Sequence, residues 1–136
     1  MADLFKLEKV YADEMVSHAK EEVPNECCGL LAGVNDRVTR LYRCKNSEHS
    51  PFRYMVDPHD LIAVYEELHK NAWELLGIYH SHTHTKAYPS PTDIKSVVLT
   101  QALYFIVSLS SPDKPIIKAF YINEGGVKEA ELAIVE

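Results

Sequence analysis

The stretch Gly77-Ile78-Tyr79-His80-Ser81-His82-Thr83-His84-Thr85-Lys86-Ala87-Tyr88-Pro89-Ser90-Pro91-Thr92-Asp93 changes character twice, and both changes fix structure. The apolar run from Leu75 into His82 reads as a strand. Side chains alternate across a strand, so His80 and His82 share a face. The polar, proline-bearing part from Thr83 to Pro89 reads as a loop. Ser90-Pro91-Thr92-Asp93 reads as a helix start, with serine in the N-cap position, proline at the first helical position and the aspartate favoured by the helix dipole. A strand and a helix follow each other here, which points to mixed α and β structure.

Working outward, Ile94, Val97 and Val98 mark a helix after Ser90, and Leu103 to Ser108 has the continuous apolar character of a central buried strand. Two more strands are expected near Ile116 to Ile122 and Val127 to Val135, on either side of a Gly125-Gly126 turn. Toward the N-terminus, Asp57 offers a cap, Pro58 fits the first helical position, and Leu61, Ile62, Tyr65 and Leu68 form an apolar face, predicting a helix over about 58 to 71. Cys27 to Ala32 and Val38 to Cys44 flank a turn at Asn35-Asp36 and read as a hairpin. Tyr11, Met15, Ala19 and Val23 recur every four residues, predicting a helix over about 12 to 22 that ends before Pro24. The whole reads as α/β (α+β) structure around one mixed sheet.

Length and composition set the frame. The chain has 136 residues, 46% of them hydrophobic, enough for one domain with a real core and too few for two, so residues 1–136 are expected to form one domain. The formal net charge of -6 and the lack of a basic run exclude a phosphate backbone as the natural partner, so no nucleic acid is expected. Met1 to Val10 is not a secretory signal, and no apolar run approaches the ~20 residues a membrane span requires. No membrane partner and a cytoplasmic location are expected. Cys27, Cys28 and Cys44 are an odd set with two adjacent members, which suits reduced, packed thiols better than a disulfide framework.

The chemistry is concentrated in the opening stretch, which holds three of the seven histidines. Two imidazoles on one strand face can converge on a metal ion, and Asp93 could supply a third ligand. A two-histidine, one-carboxylate set suits zinc and leaves a fourth position for water, which favours catalysis over a structural role. Amide hydrolysis also requires a group that takes the proton of the water and passes it to the leaving amine, a task for a nearby carboxylate.

These residues resemble the signature of the JAMM (MPN-plus) metalloprotease family: a glutamate upstream, then His-x-His, seven residues, Ser, two residues and Asp. His80-Ser81-His82, Thr83 to Pro89, Ser90, Pro91-Thr92 and Asp93 match it throughout. Pro24-Asn25-Glu26-Cys27-Cys28-Gly29-Leu30-Leu31 is similar to the stretch in which the family's glutamate precedes a Cys-Gly-Leu strand, which selects Glu26 over Glu21 and Glu22. The resemblance implies that His80, His82 and Asp93 bind Zn2+, that Glu26 is the catalytic general acid and base, and that Ser90 donates a hydrogen bond to the tetrahedral oxyanion. It also implies a cytidine-deaminase-like fold, a mixed sheet flanked by helices. Without the long insertions of the large eukaryotic members, the chain resembles the compact prokaryotic branch, which implies a ubiquitin-like sulfur-carrier protein or its C-terminal conjugate as substrate. The extended Gly-Gly tail of such a carrier could add to a sheet edge near the zinc.

Thr83, where many relatives have proline, and the extra imidazole of His84 depart from the family pattern. His84 is expected to be a loop histidine, and His18, His49, His59 and His69 surface or capping residues. Tyr79, Trp73 and Tyr88 are left out of the expected site. A non-catalytic MPN-type scaffold is the competing reading, but such scaffolds typically lose the ligands that His80, His82, Ser90 and Asp93 preserve. A nucleobase deaminase would need His-x-Glu and Pro-Cys-x-x-Cys segments, and neither occurs.

Overall fold

The computed structural model describes residues 4–136, and alternating burial begins at the first of them. Phe5 and Leu7 are buried and Lys6 is exposed along β1 (Leu4–Glu8), a strand the helical stripe that follows it had concealed. α1 (Lys9–Glu22) starts directly from it, earlier than expected, and buries Ala12, Met15, His18 and Ala19. β2 (Cys28–Val34) and β3 (Arg37–Cys44) form the expected antiparallel hairpin. Asn35 and Asp36 turn it with φ of 54° and 60°, the positive values a two-residue hairpin turn of matching twist requires.

α2 (Pro58–Asn71) begins at the expected cap, with Asp57 accepting hydrogen bonds from the His59 and Asp60 amides. Its inward face differs from the expected one. Val64 and Leu68 are buried and Leu61 is half-buried, whereas Ile62 and Tyr65 are exposed, because Leu61, Val64 and Leu68 hold the three- and four-residue spacing of one helical stripe. β4 (Glu74–His82) and β5 (Leu103–Ser108) run parallel, joined by a crossover that contains α3 (Pro91–Lys95). α3 is only a turn and a half, so Val97 and Val98 fall beyond it, in the segment that returns to β5.

β6 (Ile116–Asn123) and β7 (Gly126–Glu129) complete a six-stranded mixed sheet of order β3-β2-β4-β5-β6-β7. The last expected strand divides at Ala130, which is buried and donates its N–H to the Ala119 carbonyl at 2.8 Å. Beyond it, β8 (Glu131–Val135) leaves this sheet and pairs in parallel with β1, giving a second, two-stranded sheet the single-sheet reading did not include.

Two apolar layers cover the large sheet. Phe5, Leu7, Met15, Cys27, Tyr79 and Phe105 pack on the α1 side, and Cys28, Leu30, Val64, Leu68, Ile78 and Ile106 on the α2 side. Burying each large member stabilises the fold by roughly 1.5–3 kcal/mol. Cys27 and Cys28 are free, buried and divided between the two layers, as neighbours on a strand must be. The β2–β4 crossing is close enough to demand glycine: a Cβ at Gly29 would stand 2.2 Å from the Tyr79 ring. Among the described residues, no helix is long and apolar enough to cross a membrane.

Candidate metal centre

The C-terminal end of β4 delivers His80 and His82 to the α2 side of the sheet, and the first turn of α3 delivers Asp93 to meet them. The local sequence explains why Asp93 is fixed. Ser90 and Asp93 form a reciprocal capping box, with the Asp93 N–H donating to Ser90 Oγ at 3.0 Å and the Ser90 N–H donating to Asp93 Oδ2 at 2.9 Å. That same Oδ2 stands 3.1 Å from His80 Nε2 and 2.9 Å from His82 Nε2, and the two Nε2 atoms are 3.2 Å apart. All three residues are buried.

This triangle fits a small cation. Ligand atoms about 2.0–2.1 Å from a tetrahedral ion stand about 3.3 Å from one another. The orientation of His82 agrees, because its Nδ1 donates to the Lys86 carbonyl at 2.9 Å, which leaves the Nε2 of the neutral ring with a lone pair. A lone pair on Nε2 facing a carboxylate oxygen is repulsive unless a proton or a metal ion lies between them. Among the described residues, His80, His82 and Asp93 are the one such group whose ligand atoms all lie within 4.8 Å of one another.

The charges follow from this packing. Burial pulls the pKa of His80 down, keeping its ring neutral. At His82 burial acts in the same direction, but hydrogen bonds to Asp93 and the Lys86 carbonyl overcome it and the net shift is upward. Burial disfavours the Asp93 charge, yet the two imidazoles hold this carboxyl well below the usual carboxylate range.

Glu26 lies in the adjoining segment, just before β2. The Ser81 N–H donates to the Cys27 carbonyl at 3.2 Å, and the Cys27 N–H donates to Ser81 Oγ at 2.8 Å, which ties the segment carrying Glu26 to the residue between the two histidines. The Glu26 carboxyl is buried, and its Oε1 has no hydrogen-bond partner. Burial pushes its pKa up to about 8, with the charge of His82 pulling it down and that of Asp93 raising it. A buried carboxyl oxygen without a partner is costly to a fold.

Of the five expected site residues, His80, His82 and Asp93 converge in direct contact, Ser90 joins them through the capping box, and Glu26 stands nearby in the segment that leads into β2. Sequence reading missed two neighbours. Tyr54, in the segment between β3 and α2, stacks on the His80 imidazole with ring centroids 4.2 Å apart and planes 17° from parallel. Nothing in its spacing marked it. Ser81 was signalled only by its place between the histidines. His84 is exposed on the loop, bonded to Thr83. His18, expected at the surface, is instead buried, with Nδ1 2.7 Å from the Tyr79 hydroxyl. Burial raises all three thiols, Cys27 and Cys44 to about 12, so none offers a thiolate near neutrality.

A cavity of about 440 Å3 opens beside the centre on the same face. Its lining includes Leu30, Ile78 and Tyr104 of the sheet, Tyr54 and Met55 of the segment between β3 and α2, and Thr92 of α3.

Comparison with known proteins places this geometry among relatives. The model of the family described as prokaryotic homologs of the JAB domain matches residues 8–122. The CysO-cysteine peptidase of Mycobacterium tuberculosis is 37% identical over 124 residues, covering 90% of this chain and 85% of that protein. The desampylase of Pyrococcus furiosus is 30% identical over 110 residues, covering 81% of this chain and 75% of that one. The solution structure of protein DSY2949 from Desulfitobacterium hafniense superposes with a TM-score of 0.88 at 37% identity, covering 98% of this chain and 94% of the other.

Proposed function

This chain belongs to the family of prokaryotic JAB-domain homologues, and from that membership we propose that it is a zinc metallopeptidase of the JAMM type. It hydrolyses the amide bond after the C-terminal Gly-Gly of a ubiquitin-like or sulfur-carrier protein. The observation that carries this reading is the triangle of His80 Nε2, His82 Nε2 and Asp93 Oδ2, 2.9–3.2 Å on its edges, beside the unpartnered buried carboxyl of Glu26.

His80, His82 and Asp93 hold the metal. Zinc, when bound, supplies Lewis-acid polarisation of the scissile carbonyl and an acidified water. Glu26 takes a proton from the attacking water and returns it to the departing amine. A carboxyl whose pKa burial has moved toward neutrality is suited to both directions of that transfer. With a cation held by His80, His82 and Asp93, the Glu26 carboxyl would be favoured in its charged form and would serve as the base. Ser90 Oγ spends a lone pair on the Asp93 amide, so its own hydroxyl proton stays free for the oxyanion, where a donor matters mainly in the transition state. Tyr54 covers one face of His80 and limits its contact with water.

The substrate class rests on the relatives, two of which are called CysO-cysteine peptidase and desampylase. β4 lies between β2 and β5 and offers no free edge at the histidines. The cavity between Tyr54 and Thr92 is the route we assign to it, and a Gly-Gly end is the narrowest chain that can enter. Three unpaired buried thiols support a reducing, cytoplasmic setting.

The test is to incubate the zinc-loaded protein with a ubiquitin-like sulfur carrier carrying one added amino acid after Gly-Gly and to follow the carrier by mass spectrometry. Loss of the added residue alone, abolished by a chelator and restored by zinc, is the expected result. An intact carrier together with cleavage of an unrelated peptide would reject the substrate class. A protein that binds no metal would return the chain to a scaffold role.

A further inference from the structure

The segment between β3 and α2 holds both Tyr54 and the carbonyl that anchors Glu26, and one side chain organises it. Asn46 is buried and spends its whole hydrogen-bonding capacity there. Its Nδ2 donates to the Glu26 carbonyl at 3.0 Å and to the Arg53 carbonyl at 3.1 Å. Its Oδ1 accepts from the Glu48 and Met55 amides, both at 3.0 Å. The backbone of Asn46 also bridges Val56 in antiparallel fashion, and the Glu26 N–H donates to the Ser50 carbonyl at 2.9 Å. The amide group of Asn46 therefore clamps the peptide of Glu26 on one side and the two peptides that flank Tyr54 on the other.

We infer that Asn46 is a positioning residue that fixes the Glu26 carboxyl, and the Tyr54 ring over His80, relative to the metal-binding triangle. The physical need is specific. The Glu26 carboxylate oxygen Oε1 is buried without a partner, so no hydrogen bond of its own sets its direction, and only the backbone that carries it can. That backbone precedes β2 and lies outside its ladder, where the Asn46 and Ser50 bonds take the place of strand pairing. An error of about 1 Å in placing a proton-transfer group costs on the order of 100-fold in rate. The inference rests on the hydrolase reading above.

Two substitutions separate its parts. Asn46→Ala removes all four bonds. Asn46→Asp retains an acceptor for the Glu48 and Met55 amides but sets an oxygen against the Glu26 and Arg53 carbonyls. Each is compared with the parent on the extended carrier, at a temperature where its circular dichroism matches the parent's, with kcat counted per bound zinc. Hydrogen exchange of the Glu26 amide in the metal-free proteins supplies a readout independent of turnover. We expect kcat to fall at least tenfold in both variants, KM to stay within about threefold, zinc to remain at one equivalent, and the Glu26 amide to exchange at least tenfold faster while β4 amides keep their rates. An inert parent would overturn the hydrolase reading itself, and is distinguished from failure of this inference by the parent row of the same assay. With an active parent, Asn46→Asp retaining kcat and slow Glu26 exchange would overturn it, as would loss of zinc, a rise in KM alone, or variants that never fold.

Discussion

Glu26 is neutral in the metal-free fold at pH values where it is charged in the unfolded chain, and this makes a residue-scale prediction with a definite sign. Its folded pKa of about 8 lies above the ordinary 4.5 because burial disfavours the charge. The stability this contributes is fully present below pH about 4.5 and is lost as pH rises through about 8. Glu26→Gln has no such charge to bury. Thermal melts of the metal-free proteins between pH 4.5 and 8.5 should show the variant gaining on the parent as pH rises, and a constant gap would contradict the burial. Ser90 has two jobs that separate. Ser90→Ala should cost about 1 kcal/mol of stability through the lost cap, and kcat should fall by on the order of 100-fold for a lost oxyanion donor. Denaturant titration checks the first and steady-state kinetics the second. The ligand spacing and the cap were legible at this scale because both are local patterns of a strand and a helix start. Tyr54 was not, since its stacking on His80 depends on a segment between β3 and α2 that no periodicity describes. Nor was burial of His18, which packs from α1 against the Tyr79 hydroxyl of β4.

Elements bring these residues within reach, and a tight tolerance beside the site lies between β2 and β4. Tyr79 alternates with His80, so the ring that fills the opposite layer is placed by the strand that presents the ligand. The missing side chain of Gly29 admits that ring. Gly29→Ala should destabilise the protein by about 2–3 kcal/mol through overpacking, with loss of zinc occupancy as β4 shifts, while Ala32→Gly in the same strand should leave the site intact. Chemical denaturation with parallel metal analysis checks both. Element types were legible wherever burial was periodic, as in α1, the β2–β3 hairpin and α2. Boundaries failed where a long-range partner decided them. β1 is a strand because β8 pairs with it, and the strand expected from Val127 to Val135 divides at Ala130 because its two halves have different partners.

At the scale of the molecule, the α1 layer and the β1–β8 pair support the sheet from the face opposite the metal-binding triangle. Leu7 is fully buried in that layer, so Leu7→Ala should cost about 3 kcal/mol of stability and leave kcat per folded molecule unchanged below its melting temperature. The parallel β4–β5 step has the wider consequence. It forces a crossover, and the crossover carries α3 back over the end of β4, so that Asp93 meets histidines eleven and thirteen residues earlier in the chain. The measurement that tests the account most directly is zinc content and carrier hydrolysis of Glu26→Gln beside the parent and His82→Ala. The account predicts one zinc and a loss of turnover of at least 1000-fold for Glu26→Gln, on the scale of a general acid–base group working with its neighbours, and loss of both zinc and turnover for His82→Ala. A zinc-loaded Glu26→Gln that hydrolyses the carrier at the parent's rate would contradict it.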